Sequence, residues 1–402
     1  MEGAERMIIR NHYIDPIRPF FESDLIKIIT GIRRCGKSVI LNQIADEYRA
    51  QGKPVLCVNF EKLEYSSEIP DAAALNDYVK ARMPEGQKLY VFLDEVQLVK
   101  DWQIACRSLR LENLSLFISG SNSKLLSREF AKELSGRYVS FCVRPFVYRE
   151  ILEYTHQLGK ECSITDYLIY GGFPKRFDFP DQETVTAYLN DLNQTIIIND
   201  IMNRYRIRKT ELFKRLVNYV LISNARIFSA NSIQHYLASE KLTCSINTVM
   251  KYLSYLEEAY VIRKVPQYST RSKRELSFYA KIYDEDVSFN TIRQKNGRFD
   301  LTHNLENVIY NELIYMGYEV SVFTMNGQEI DFLAQKNRKE YLVQVAYSVA
   351  EEKTYEREFA LFNKLDQSRK KILITNDDVD YSTSTVEHLP LSRFLLMENL
   401  EG

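Results

Sequence analysis

Short apolar runs recur along the first third of the chain: Leu25-Ile26-Lys27-Ile28-Ile29-Thr30, then residues 55–60, 89–93, 116–118 and 138–143, with a helix-like segment, 39–48, after the first. Continuous apolar strands separated by helix-length stretches predict a parallel sheet buried on both faces, and so an α/β fold. Residues 7–23, with Pro16, Pro19 and mixed polarity, are expected to wrap across the first strand. From 146 to 200 the spacing is helical, interrupted at Tyr170-Gly171-Gly172-Phe173-Pro174. The register changes at Glu211: helical patterns over 212–222, 232–237 and 246–256 run into an extended stretch, 260–265. That order predicts a winged helix-turn-helix with 245–257 as its third helix. The last part returns to alternation, with an amphipathic helix over 304–313 and strands over 317–320, 328–334 and 341–346.

At 402 residues the chain exceeds one ordinary core, and two to four domains are expected. Apolar residues make up 45%, enough for substantial cores, while a formal net charge of −1 means that any contact with nucleic acid must come from a local patch. Six cysteines are scattered without a C-x-x-C pair, which argues for a reducing compartment and against structural zinc or a disulfide framework. No apolar stretch reaches membrane-spanning length and the polar start lacks a secretory signal, so a cytoplasmic protein without a membrane partner is expected.

Residues 31–38 read G-I-R-R-C-G-K-S, between the first strand and the first helix. Phosphate oxygens need backbone N–H groups crowded around them, so glycine stands where a side chain would collide, and the following helix points its positive end at the same anion. Gly31, Ile32, Arg33, Arg34, Cys35, Gly36, Lys37, Ser38 and Val39 are the candidate nucleotide contacts, with Lys37 on the β- and γ-phosphates and Ser38 on Mg2+. Arg34 stands where many such loops carry a further glycine. The third strand ends in Asp94-Glu95, where a nucleotide-hydrolysing site needs an acid to hold magnesium, Asp94, and one to polarise water, Glu95. The fourth runs into Ser119-Gly120-Ser121-Asn122-Ser123, and Ser121 or Asn122 is the candidate to sense the γ-phosphate. Arg137, just before the fifth strand, is a candidate for stabilising transition-state charge in its own subunit or, in a homo-oligomer, a neighbour's.

The motifs G-I-R-R-C-G-K-S, F-L-D-E-V-Q, S-G-S-N-S, L-S-G-R and Y-G-G-F-P together resemble a large group of prokaryotic AAA-type ATPases, in which the ATPase core precedes a C-terminal domain of unassigned function. The resemblance implies ATP binding with Mg2+ and hydrolysis. Arg34 belongs to that group's usual pattern. In related ATPases a Gly-Gly-x-Pro turn of this kind lies near the adenine in a helical lid, which makes Pro174 a further candidate contact.

Two basic clusters flank the winged-helix segment. Arg204, Arg206, Arg208, Lys209, Lys214 and Arg215 against Glu211 give residues 201–215 a net charge of +5, and Arg263, Lys264, Arg271, Lys273 and Arg274 against Glu275 give 260–275 a net of +4. Such patches suit phosphate backbones. The third helix carries a single basic residue in 245–252, Lys251, so a DNA partner held by its backbone, or a protein partner, is expected rather than base reading. The order of elements after residue 300 resembles the restriction-endonuclease-like fold, whose metal site takes a helix glutamate, a strand aspartate and a Glu-x-Lys. Glu306 and Asp331 match the first two places, but Gln344 and Ala346 occupy the others, so a degenerate, non-cleaving domain is expected. The expected organisation is an ATPase core over 1–145, a helical lid or connector over 146–210, a winged helix over 211–275 and a nuclease-like domain over 276–402. The function expected is an Mg-ATPase coupled to a partner. A nucleotide-dependent switch with negligible turnover is the first alternative and an ATP-driven nuclease the second.

Overall fold

A computed structural model of the protein describes residues 7–121, 134–269, 280–294, 298–325, 328–363, 365 and 369–401. The chain divides into two compact units, Met1–Pro145 with Glu258–Tyr260, and Phe146–Glu257 with Val261–Gly402.

The first unit is built on a five-stranded sheet of β1 (Ile26–Thr30), β2 (Val55–Asn59), β3 (Leu89–Asp94), β4 (Leu114–Gly120) and β5 (Tyr138–Cys142), in the order β2-β3-β4-β1-β5. Every pairing is parallel. Strands β1, β3 and β4 are buried along their whole length, as continuous apolar runs require when helices cover both faces. Strand β2 is half-buried, not a buried strand as its composition suggests, because it stands at the sheet edge with β3 as its one partner. Strand β4 runs two residues beyond its apolar stretch, so Ser119 and Gly120 are strand residues and not turn residues. Register aligns Thr30 with Gly120 and Asn59 with Asp94, which brings the carboxyl ends of four strands to one edge. Chain order reverses at β1, and outside such strand ends α/β sheets bind their ligands.

Near the opposite end of β1, Lys27 is fully buried. Its ammonium donates to Ser115 Oγ at 2.7 Å and to the Ser23 carbonyl at 3.3 Å, and sits 4.6 Å from the centroid of the Phe117 ring. The contact to Ser23 ties residues 7–23 to the sheet, as their position before the first strand leads one to expect.

In the second unit, the helices Tyr148–Gln157, Ile164–Tyr170 and Gln182–Thr195 precede a π-helical stretch, Ile196–Asn203. The interruption at 170–174 is set by packing. Gly171 has φ +69°, and a Cβ there would fall 1.8 Å from the Asp286 carboxylate, which accepts the Gly172 N–H at 2.7 Å. The helices Thr210–Ile222, Ala230–Ser239 and Ile246–Glu258 follow, interleaved with the short β6 (Ile227–Phe228) and followed by β7 (Ile262–Ser269) and β8 (Ala280–Asp284). Strand β8 pairs antiparallel with both β6 and β7. The expected boundary at residue 275 therefore falls inside a strand pair. Strand β7 also pairs in parallel with β9 (Glu319–Met325), extending through β10 (Gln328–Lys336), β11 (Lys339–Val345), β12 (Lys370–Thr375) and β13 (Val386–Pro390) into one eight-stranded sheet. The two segments read as separate modules thus share a sheet, which the local pattern of neither reveals.

Burial pulls the Lys27 ammonium down to about 7. An unfolded lysine titrates near ~10.4, so between those values the unfolded chain binds more protons than the folded one and stability rises with pH. Lys27→Met removes this dependence. The melting temperature of wild type minus that of the variant should climb by roughly 5 °C from pH 6.5 to 9.5; a difference that stays flat in thermal melts across that range would contradict it.

Candidate functional site

Residues 31–36 turn from β1 into the helix Lys37–Ala50 with little room to spare. Gly31 has φ +140°, and a Cβ there would stand 2.1 Å from the Val143 carbonyl oxygen. Gly36 has φ +104° and opens the helix with no side-chain cap, so the first-turn N–H groups are left for an anion. Arg34 takes φ +66°, a left-handed conformation that is uncommon for a side-chain-bearing residue. Lys37 is buried and its ammonium donates across the loop to the Ile32 carbonyl at 3.1 Å. Ile32 and Cys35 are fully buried, with the Cys35 thiol on the Val143 carbonyl at 3.3 Å, whereas Arg34 is exposed and Arg33 lies 3.6 Å from Glu61. Val39 is half-buried in the first turn of the helix.

Asp94 and Glu95 close β3 at the same edge. Burial pushes the Asp94 carboxyl up, against hydrogen bonds from Ser119 and Ser38 that favour its ionised form. Asn59 Nδ2 donates to its other oxygen at 3.0 Å. Glu95 turns away in a left-handed conformation, φ +53°. Its N–H donates to Ser119 Oγ at 3.1 Å, its carboxylate accepts from the Gln97 amide, and it lies 4.0 Å from the Lys37 ammonium. Lys37, Ser38, Asp94 and Glu95 are thus brought together. The residues fit a nucleotide and its metal: a tight loop shaped by two glycines, an uncapped helix start, a lysine, and a hydroxyl hydrogen-bonded to a carboxylate.

Three residues at this edge escape sequence reasoning. Ser119 bridges both acids, yet in sequence it reads as the first residue of a turn after an apolar strand. Asn59 comes from the end of β2, next to Asp94 by register alone. Arg10, 3% exposed, donates from Nη1 to the Cys35 carbonyl and from Nη2 to the Arg144 carbonyl, each at 2.9 Å. It latches the loop to the segment after β5 and gives residues 7–23 a role their sequence does not disclose.

Ser121 is buried just beyond β4, at the edge of the acids, and Asn122 lies outside the described residues. Arg137 is exposed at the amino end of β5, where its carbonyl accepts the Ile26 N–H. A five-residue strand, roughly 16 Å, separates it from the loop edge. It therefore cannot serve the loop of its own chain. Pro174 belongs to the second unit and opens a 3-10 turn, Pro174–Asp178. Of the basic clusters, Arg263 pairs with Glu285 at 3.1 Å and Lys264 with Glu257, while Arg271, Lys273 and Arg274 lie outside the described residues. Arg215 contacts Glu211 and Glu240; Arg206, Arg208, Lys209 and Lys214 are exposed. Glu306 and Asp331 do converge, and the Gln344 side chain accepts the Asp331 N–H at 3.2 Å.

A family model described as an AAA domain matches residues 23–152. Models described as domains of unknown function, DUF8612 and DUF4143, match 162–294 and 302–394. An uncharacterized protein of Haemophilus influenzae is 35% identical over 386 residues, covering 92% of this chain and 94% of that protein. An uncharacterized protein of Methanocaldococcus jannaschii is 28% identical over 401 residues, covering 92% and 88%. Among solved structures, the Walker-type ATPase of Pyrococcus abyssi aligns with 72% of this chain and 97% of its own at 16% identity, with a TM-score of 0.49. The chain belongs to the family of AAA-type P-loop ATPases whose AAA domain is followed by C-terminal domains of unknown function.

Proposed function

We propose that the protein binds ATP with Mg2+ in residues 31–38 and hydrolyses it, and that turnover is coupled to a partner held by the second unit. The observation that carries this reading is the meeting of Lys37, Ser38, Asp94, Glu95 and Ser119 at one sheet edge, around a helix start with no cap of its own. The loop N–H groups bind phosphate, and Lys37 exchanges the Ile32 carbonyl for phosphate oxygen. Ser38 and Asp94 hold the metal, which when bound draws charge off the phosphates. Asn59 and Ser119 fix the orientation of Asp94, while Glu95 takes the proton from the attacking water. Arg137 is left to a neighbouring site in a homo-oligomer.

A nucleotide-dependent switch with negligible turnover is the rival reading. What favours it is the Gln97 amide, which engages the Glu95 carboxylate and competes with water for it. For the partner, the exposed Arg206, Arg208, Lys209 and Lys214 suit a DNA backbone, whereas the exposed Ile246 and Met250 on the helix Ile246–Glu258 suit protein. The three helices with β6, β7 and β8 are read as the winged helix, and base reading is not expected of it. No helix among the described residues is long and apolar enough to cross a membrane. We infer a cytoplasmic protein from cysteines scattered without a C-x-x-C pair, which suits a reducing compartment.

Lys37→Ala should weaken ATP binding about 100-fold, about 2.7 kcal/mol, by titration of a fluorescent analogue. Glu95→Gln should bind ATP as wild type does while its kcat falls on the order of 100-fold or more. Equal steady-state rates for Glu95→Gln and wild type would remove Glu95 as the base. Under the switch reading Gln97→Ala raises kcat; under the ATPase reading it leaves kcat within about twofold. Double-stranded DNA titrated into the same assay separates a DNA partner, which changes the rate, from a protein partner, which leaves it flat. Arg10→Met leaves the carbonyls of Cys35 and Arg144 short of their buried donor. It should lower the melting temperature by roughly 5 °C, with Arg10→Lys recovering part of the loss.

A further inference from the structure

Within the second unit, β8, β10 and the helix Leu301–Tyr315 bring one ammonium to three carboxylates. Lys281, 4% exposed, lies 2.9 Å from Glu306 Oε1, 2.8 Å from Glu329 Oε1 and 3.0 Å from Asp331 Oδ1. The Tyr283 hydroxyl adds a hydrogen bond to Glu306 Oε1 at 2.7 Å. An ammonium carries three N–H donors, and here each has a carboxylate oxygen. The strand register shifts between Ile330 and Leu333, so Asp331 stands at a bulge, a device that re-aims a side chain. Its second oxygen accepts the Val345 N–H at 2.9 Å. The Gln344 amide is spent on both sides, accepting from the Asp331 N–H and donating to Glu358 at 3.0 Å.

We propose that Lys281 is a built-in cation occupying what would otherwise be a divalent-metal site of Glu306, Glu329 and Asp331. A metal would take those same oxygens at about 2.0–2.6 Å, and it cannot share the space with an ammonium 2.8–3.0 Å from all three. The lysine has no N–H left to orient a water or a phosphate, so its place is structural, cross-linking two strands and a helix. Burial alone would lower the Lys281 ammonium, but the carboxylates of Asp331, Glu306 and Glu329 hold it above its usual value. Burial and the neighbouring Asp331 push the Glu306 carboxyl up, against the Lys281 ammonium and the Tyr283 hydroxyl that favour its ionised form. This inference does not depend on the ATP reading of the first unit.

The test uses Mn2+ and the full chain without nucleotide, followed by electron paramagnetic resonance and thermal melts. Wild type should bind no Mn2+ at this cluster and show no plasmid cleavage with it. Lys281→Ala should melt about 10 °C lower. It should bind one Mn2+ at least 10-fold more tightly than wild type, regain stability with it, and lose both gains when Asp331→Asn is added. Should Lys281→Ala fail to fold, recovery by Mn2+, or by neutralising the acids in Lys281→Met with Glu306→Gln and Asp331→Asn, supports the built-in cation. Failure of both rescues overturns it. So does a folded Lys281→Ala that ignores Mn2+, or wild-type Mn2+ binding or cleavage that Asp331→Asn abolishes.

Discussion

The site depends on a close approach of backbone to backbone. At Gly31 the chain leaves β1 so near the Val143 carbonyl that no side chain fits between them, and the same carbonyl accepts the Cys35 thiol. A loop held this tightly keeps its N–H groups at fixed positions before any ligand arrives, so little ordering entropy is lost on binding. Arg10 extends the constraint by joining the carbonyls of Cys35 and Arg144 through one buried guanidinium. The phosphate loop is thus clamped to the last residues of the first unit, just where the chain passes into the second.

The acids are arranged by a different means. Asp94 and Glu95 are neighbours in sequence, yet with a left-handed backbone at Glu95 the two carboxylates meet different partners, Ser119 and Asn59 for the first and Gln97 for the second. Ser119 holds the arrangement from the adjacent strand, accepting the Glu95 N–H while donating to Asp94. One hydroxyl therefore couples the orientation of the Asp94 carboxylate to the backbone of Glu95. A residue that bridges both is placed to feel any displacement of either.

The loop and the acids were legible because each is a contiguous string whose chemistry requires its neighbours: glycines and a lysine in one turn, a charged pair after an apolar strand. Asn59, Ser119 and Arg10 were not, since each joins the site by strand register or by a contact across 25 or more residues, and neither leaves a trace in local pattern. The same reason accounts for the boundary set at residue 275. The winged-helix reading and its basic cluster end there, but the pairing of β7 with β8 on one side and β9 on the other carries a single sheet across it. Arg137 shows the reverse error. Its chemistry suits a transition state, but parallel strands have two ends, and its carbonyl on Ile26 assigns it to the wrong one for its own loop.

Two buried lysines show how much the surroundings decide. Lys27 and Lys281 are both at or near zero exposure, in strands, with nearly the same cost of removal from water. Lys27 meets a hydroxyl, a carbonyl and an aromatic face, none of which carries a full negative charge, and its ammonium drops to about 7. Lys281 meets three carboxylates, and its proton is held more tightly than in water. Burial is common to both and Lys88 lowers Lys27 further, whereas at Lys281 the three acids outweigh burial. A cluster able to reverse the sign of that shift exerts the field that would draw a divalent cation, which is why the ammonium within it reads as a substitute for a metal and not as an ordinary ion pair.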